Sequence, residues 1–343
     1  MPQELIADRR GHAVLRNYEE VALEPNQIRF RSLFSAVKHG TELRLFRADS
    51  SDASDRWDHQ LGLHRRGEAV QAGFPIALGN MSMGEVVEVG AGVENFKTGD
   101  RVFGHAPMRE THTVEASRLE HVPQGITPQG LMYWDPADSA VGAFQDGPLR
   151  LGDRVAVFGL GAIGLMVAQA ARISGARWVV AVDPIEIRRE AAARHGADLV
   201  LDPTQVDAGL EIKARTENLG VDVAFETSGA YPAIEDALRA TRYRGTVIST
   251  AYYAGNQGLH LAGEWHRNRI RIVSSRANSE PFQDFGWDYA RIKRESLALL
   301  VEGRLKADDL IKPIVAFEEV AEAFQEINAH PEQTIKLGVD HTL

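Results

Sequence analysis

Two hydrophobic rhythms divide the chain. Up to about residue 130, apolar and polar residues alternate in short runs, as in QIRFRSLF at 27–34 and GEVVEVG at 84–90. A period of two sends alternate side chains to opposite faces of an extended strand, and turns such as GAGV (90–93) and KTGD (97–100) separate the runs. This part predicts β structure, a barrel or rolled sheet. After Leu151 the rhythm changes. Apolar runs recur at RVAVF (154–158), WVVAV (178–182), LVL (199–201), VDVAF (221–225), TVIS (246–249) and IRIVS (270–274), with helical spacing over 165–172 and 185–195. Strands buried on both faces and alternating with helices predict a parallel, doubly wound sheet, hence an α/β fold. Helices over 289–302 and 317–328 and a strand over 335–339 close the chain. The long polar segment 47–73, with Asp52, Asp55, Asp58, His59, His64, Arg65 and Arg66, predicts a surface or substrate-facing loop.

Chemistry enters where the first buried strand meets its helix. GLGAIG at 159–164 fits G-x-G-x-x-G, and Asp183 ends the next strand, 19 residues after Gly164 (183 − 164), near the spacing of ~20 that a dinucleotide site needs. Gly159 permits a tight turn, Gly161 lets the backbone approach a pyrophosphate, and Gly164 lets the helix pack on the strand. The first helical residues, Ala162 and Ile163, belong to a helix start that offers free N–H groups and partial positive charge to the phosphates. Asp183 should accept hydrogen bonds from the adenosine ribose and repel a 2′-phosphate, which favours NAD over NADP; Arg188 and Arg189, a helical turn further on, temper that preference. Arg188, Thr227 and Thr250 complete the expected NAD-contacting set.

Bulk properties narrow the alternatives. The 343 residues suffice for two domains, and 44% hydrophobic with 25% charged residues is ordinary for a folded protein. A net charge of −10 argues against nucleic acid as a partner. The local basic run WHRNRIR (265–271) reads as a solvated edge or a subunit contact. Without cysteine there is neither a disulfide nor a thiolate metal site. The first residues lack the apolar core of a signal peptide, and no run approaches the ~18 apolar residues of a membrane span. A cytoplasmic protein without membrane partners is expected.

With GDRV (99–102), GVDVAFETSG (220–229) and residues 237–245 beside the glycine turn, the chain resembles the medium-chain dehydrogenase/reductase superfamily, the relatives of zinc alcohol dehydrogenases, over nearly its whole length. The resemblance implies a GroES-like catalytic domain (1–130 and 285–343) and a Rossmann NAD-binding domain (131–284), with the active site in the cleft between them. It also implies hydride transfer at the nicotinamide C4, a small-molecule substrate, and homodimers or homotetramers joined along the Rossmann-sheet edge at 270–274.

The chain departs from the zinc pattern. His39 in HGTE (39–42) stands where zinc members have a ligating Cys, and Gly79-Asn80-Met81 replaces their Gly-His-Glu. Asp135-Pro136 matches the Glu-Pro of polyol-type members, HGTE also resembles the bacteriochlorophyllide dehydrogenase branch, and the structural-zinc lobe is missing between Val102 and Val122. His39 and Asp135 are acceptable donors and Asn80 a poor one, short of the three ligands of catalytic zinc, so NAD is expected and zinc is not. The catalytic candidates are then Lys38, His39, Thr41 and Asp135. A His39–Asp135 pair suits a general base, Lys38 a cation for a developing alkoxide, and Thr41 matches the hydroxyl that relays a proton in zinc members. Trp57, His59, His64 and Trp134 are further pocket candidates. The reading is an NAD-dependent dehydrogenase of a secondary alcohol, a polyol or sugar. The alternatives are a zinc-independent quinone or enoyl reductase using NAD(P)H, and a nucleotide-binding protein with a decayed site.

Overall fold

A computed structural model describes residues 1–48, 55–67, 73–253, 257–276 and 286–343. Asp52 of the polar segment lies outside the described residues. The chain divides into two compact units, Met1–Met132 with Ile311–Leu343, and Tyr133–Leu310.

The first unit opens with β1 (Gln3–Arg9), β2 (His12–Asn17), β3 (Gln27–Ala36) and α1 (His39–Arg47). There follow β4 (Asp55–Asp58), β5 (Leu63–Arg66), β6 (Ile76–Ala77), β7 (Met81–Val89), β8 (Arg101–His105), β9 (Thr111–Glu115), β10 (Glu120–His121) and the short α2 (Pro128–Leu131). The alternation read in the sequence is the burial pattern of β3, where Ile28 and Phe30 are fully buried and Arg31 is exposed. β4 and β5 form an antiparallel hairpin inside the segment expected to be a loop, with Trp57 opposite His64. The sequence hid it because charged residues mask the period of two.

The second unit runs α3 (Trp134–Asp146), β11 (Arg154–Phe158), α4 (Ala162–Ile173), β12 (Trp178–Val182), α5 (Glu186–Arg194), β13 (Leu199–Leu201), α6 (Ala208–Ala214), β14 (Val221–Glu226), α7 (Tyr231–Ala240), β15 (Thr241–Ser249), α8 (Glu264–Arg267), β16 (Arg271–Ser274) and α9 (Tyr289–Val301). Its sheet has the order β13-β12-β11-β14-β15-β16, and every neighbouring pair is parallel. Val155, Ala156 and Val157 of β11 are fully buried because helices cover both faces. Burying each such Val contributes about 1.5–3 kcal/mol. The order reverses beside β11, whose neighbours are the second and the fourth strand of the sheet. Open α/β sheets bind ligands at that switch point, beyond the carboxyl ends of the strands.

The chain returns to the first unit at Ile311 and adds β17 (Ile314–Ala316), α10 (Val320–Ala329) and β18 (Gly338–Asp340). In the main sheet of this unit, β18 pairs with β3 and β17 with β18. The sequence placed the return at 285. Helix α9 instead belongs to the second unit, where Trp134 Nε1 donates to Lys293 O at 2.9 Å and Ser296 Oγ donates to Asp138. Periodicity marks a helix without saying which sheet it covers. Likewise the last strand is Gly338–Asp340 rather than 335–339, and Lys336 forms only an isolated bridge with Lys312. Among the described residues no helix is long and apolar enough to cross a membrane.

Candidate active site

The glycine turn joins β11 to α4 and carries three distinct steric requirements. Gly159 sits at φ +85°, where a side chain is strained, and its added Cβ would lie 2.7 Å from Ser228 Cβ. A Cβ on Gly164 would lie 1.9 Å from Gly159 O, so only glycine lets α4 start this close to the strand. Gly161 is different: a Cβ there would meet no atom within 4 Å. The arc of Gly161, Ala162 and Ile163 is half-buried, open to an anion, while Gly159, Leu160 and Gly164 are buried. No side chain caps α4, so the amides of its first turn remain available to phosphate oxygens. The turn fits a dinucleotide.

Asp183 follows β12 and is 4% exposed. Its Oδ2 accepts Leu160 N at 2.7 Å and its Oδ1 accepts Ile185 N at 2.8 Å. A carboxylate has about four acceptor positions, so two backbone bonds fix it against the glycine turn and leave acceptors for ribose hydroxyls. Arg188 on α5 faces Asp183 and Tyr133, and burial holds its guanidinium below the usual arginine range. Thr227 Oγ1 donates to Gly159 O at 2.8 Å, and Thr250 N donates to Glu226 O at 2.9 Å. Thr227 thus ties the end of β14 to the turn, and Thr250 ties the end of β15 to β14.

The sequence reading missed Glu226, at the end of β14 and 0% exposed. Its carboxylate accepts the Ser228 N–H at 2.7 Å and the Gly229 N–H at 3.1 Å, and the hydroxyls of Ser228 and Tyr253 also donate to it. Burial is the largest influence and pushes its pKa up, opposed by these four donors. Glu226 thus closes the turn that packs on Gly159. The only signal was its place in GVDVAFETSG, and nothing local announces Tyr253.

Lys38, His39 and Thr41 come together at the start of α1, in the first unit. Lys38 is the N-cap residue. Glu42, 6% exposed, reaches back to accept Lys38 N, and its other oxygen accepts Gly79 N at 2.7 Å. One buried carboxylate therefore holds the start of α1 against the turn that presents Asn80. Burial raises the Glu42 pKa, and the Lys38 and Gly79 N–H donors, followed by the Lys336 and Lys38 cations, oppose that rise. Lys336, 2% exposed, donates to Val37 O at 2.6 Å. Neither Glu42 nor Lys336 was singled out, because a lysine in a strand-like run reads as solvent-facing. Thr41 is exposed. Asp135 is carried by the second unit, in the first turn of α3, and is 5% exposed.

The positions that the resemblance gives to zinc ligands do not fit zinc. His39 Nε2 accepts Leu337 N–H at 3.0 Å, which occupies that lone pair and leaves the proton of the neutral ring on Nδ1. Asn80 offers zinc only a neutral amide oxygen, a poor ligand beside His, Cys or a carboxylate, and its Nδ2 is buried without a hydrogen-bond partner. Within each unit, among the described residues, no three His, Asp or Glu side chains gather as a metal site.

The comparisons with known proteins agree with this architecture. The alcohol dehydrogenase GroES-like domain family matches residues 50–146, and the zinc-binding dehydrogenase family matches residues 162–292. The chain is 39% identical over 350 residues to D-guloside 3-dehydrogenase of Escherichia coli K12, covering 98% of this chain and 99% of that protein. Among solved structures it is similar to 2R,3R-butanediol dehydrogenase from Bacillus subtilis, with a TM-score of 0.77, 23% identity and 99% of both chains covered. A second similar structure, an alcohol dehydrogenase from E. coli CFT073 complexed with NADH, has a TM-score of 0.78, 17% identity and 99% coverage of both chains. The chain belongs to the zinc-type alcohol dehydrogenase-like family of the medium-chain dehydrogenase/reductases, and is an oxidoreductase of the alcohol dehydrogenase type.

Proposed function

We propose that this protein is an NAD-dependent dehydrogenase that oxidises a secondary alcohol of a sugar or polyol without a catalytic zinc. The observation that carries the cofactor is the Asp183 carboxylate, held by Leu160 N and Ile185 N behind a glycine turn whose Gly161 faces open space. It suits ribose hydroxyls and repels a 2′-phosphate. The sugar substrate rests on the 39% identity to a D-guloside 3-dehydrogenase.

NAD, when bound, supplies the acceptor for the hydride that leaves the carbinol carbon. The chain's own residues handle the hydroxyl proton and the charge left on oxygen. His39, with Nε2 engaged by Leu337, presents an Nδ1–H donor, and Lys38 brings a cation; both stabilise a developing alkoxide. Thr41, exposed in the first turn of α1, passes the proton to solvent. Glu42 is a positioning residue that sets Lys38 and the Asn80 turn in register.

The test is calorimetry with NADH and NADPH, beside turnover of D-gulosides, polyols and enones with and without chelator, and elemental analysis. Tighter NADH binding and chelator-insensitive oxidation of a sugar glycoside are expected. Zinc near one per chain with chelator-sensitive turnover overturns the metal-free part. Enone reduction with NADPH in place of alcohol oxidation overturns the rest.

A further inference from the structure

The second arginine of α5, outside the proposed cofactor contacts, is held by a clamp. Arg189 Nη1 donates to the main-chain oxygen of Asp183 at 2.8 Å and lies 3.2 Å from Asp202 Oδ2. Asp202, directly after β13, is itself fastened: its Oδ1 accepts Thr204 N at 2.9 Å and Thr204 Oγ1 at 2.6 Å. Both Asp202 oxygens are thus committed, one to its own turn and one to Arg189. The Arg189 and Asp202 side chains are 16% and 21% exposed, so the pair is partly shielded from solvent.

Arg189 stands on the residue that discriminates between the two dinucleotides. Its guanidinium is anchored on the carbonyl of Asp183, within one residue's reach of the carboxylate expected at the ribose 2′-hydroxyl. A guanidinium fork is the side chain best matched to a phosphate. Left unpaired there, it would offer a 2′-phosphate a counter-charge and offset the repulsion from Asp183. Arg188, half-buried, faces Asp183 and Tyr133 instead.

We propose that Asp202 is a specificity-determining residue: by clamping Arg189 it withholds a phosphate-binding cation from the adenosine ribose and so reinforces the choice of NAD over NADP. The proposal rests on the NAD reading above and adds to it a second, separable layer. Asp183 rejects the phosphate directly; Asp202 removes the group that would compensate.

The two layers separate in a binding cycle read by calorimetry with NADH and with NADPH, using the purified full chain. Wild type, Asp202→Asn, Asp183→Asn and the double variant are compared, each also with Arg189→Gln. Asn at 202 keeps the Thr204 acceptor while releasing Arg189, and far-ultraviolet circular dichroism checks each fold. Asp202→Asn alone is expected to leave NADH affinity within about twofold and to lower the preference for NADH at least threefold. In the Asp183→Asn background it should tighten NADPH about tenfold further, and Arg189→Gln should remove both gains. If Asp202→Asn leaves the preference unmoved, or if the gain survives Arg189→Gln, the clamp is overturned while NADH binding by wild type still upholds the reading beneath it. If Asp183→Asn does not fold, the single Asp202→Asn comparison decides. A wild-type chain that binds neither dinucleotide, or prefers NADPH, overturns the NAD reading and the clamp with it.

Discussion

Gly161 and Gly164 lie three residues apart in one turn, yet substitution at each has a different consequence. Alanine at 164 places its Cβ 1.9 Å from Gly159 O, a backbone atom that cannot yield without moving β11. Gly164→Ala should therefore destabilise the fold by about 1–3 kcal/mol, the usual cost of overpacking, and lower the melting temperature as well as NADH affinity. Alanine at 161 meets no protein atom within 4 Å, so Gly161→Ala should keep the melting temperature within about a degree and weaken NADH at least tenfold. Equal NADH affinity for wild type and Gly161→Ala would remove the pyrophosphate from this turn. Glu42 permits a similar argument in the other unit. Its two oxygens accept the N–H groups of Lys38 and Gly79, and Gln can satisfy only one of them. Glu42→Gln should cost about 1–3 kcal/mol, the price of a buried unsatisfied donor, seen as a lower urea midpoint. kcat should fall more than NADH affinity, since the glycine turn is in the other unit.

At the scale of elements, β16 ends the parallel sheet with its outer edge unpaired by any strand among the described residues. An unpaired edge is a template for another chain, and the resemblance to oligomeric dehydrogenases points to this one. Arg267, Arg269 and Arg271 beside it also match the basic run read from the sequence. Sedimentation should give a dimer or tetramer of the 37.7 kDa chain, and Ile272→Pro, which removes a ladder donor, should shift it toward monomer. A monomer for wild type at micromolar concentration would dispose of that expectation.

At the scale of the whole molecule, a buried polar chain crosses the first unit. His112 Nε2, Ser32 Oγ, Ser82 Oγ, Ser35 Oγ and His341 Nε2 follow one another at 3.0–3.1 Å. Burial, the largest cause for both rings, lowers the His112 pKa to about 3 and that of His341 to about 4. The unfolded chain binds these protons near pH 6.5 and the folded chain does not, so the unfolded state holds more protons between those values. Stability from this pair is fully present above pH 6.5 and falls as pH drops toward 4. Glu42 and Glu226, whose pKa values are raised by burial, act in the opposite sense, losing stability as pH rises above about 4.5. The histidine contribution is therefore isolated by difference. Replacing both histidines with Gln should lower the melting temperature at pH 7 and flatten its decline between pH 6.5 and 4. A double variant with the wild-type slope would show that other groups set it.

Much of this was legible without coordinates. The apolar runs at 154–158, 178–182 and 221–225 became β11, β12 and β14 within a residue, because a strand buried on both faces must be apolar throughout. The glycine turn and the carboxylate held against it were legible for the same local reason: turn geometry and close packing demand glycine at fixed positions, and Asp183 falls at the spacing of a dinucleotide site. Other features depended on contacts distant in sequence. Which unit claims α9, why Lys336 is buried, how Glu42 joins Lys38 to Gly79 and how Asp202 holds Arg189 are set by neighbours that periodicity cannot see. In the sequence His39 is a base candidate paired with Asp135, and only folding brought Leu337, 298 positions away, to its Nε2. Spacing along a chain encodes local conformation; the partner of a polar atom is decided by the packing that brings distant segments together.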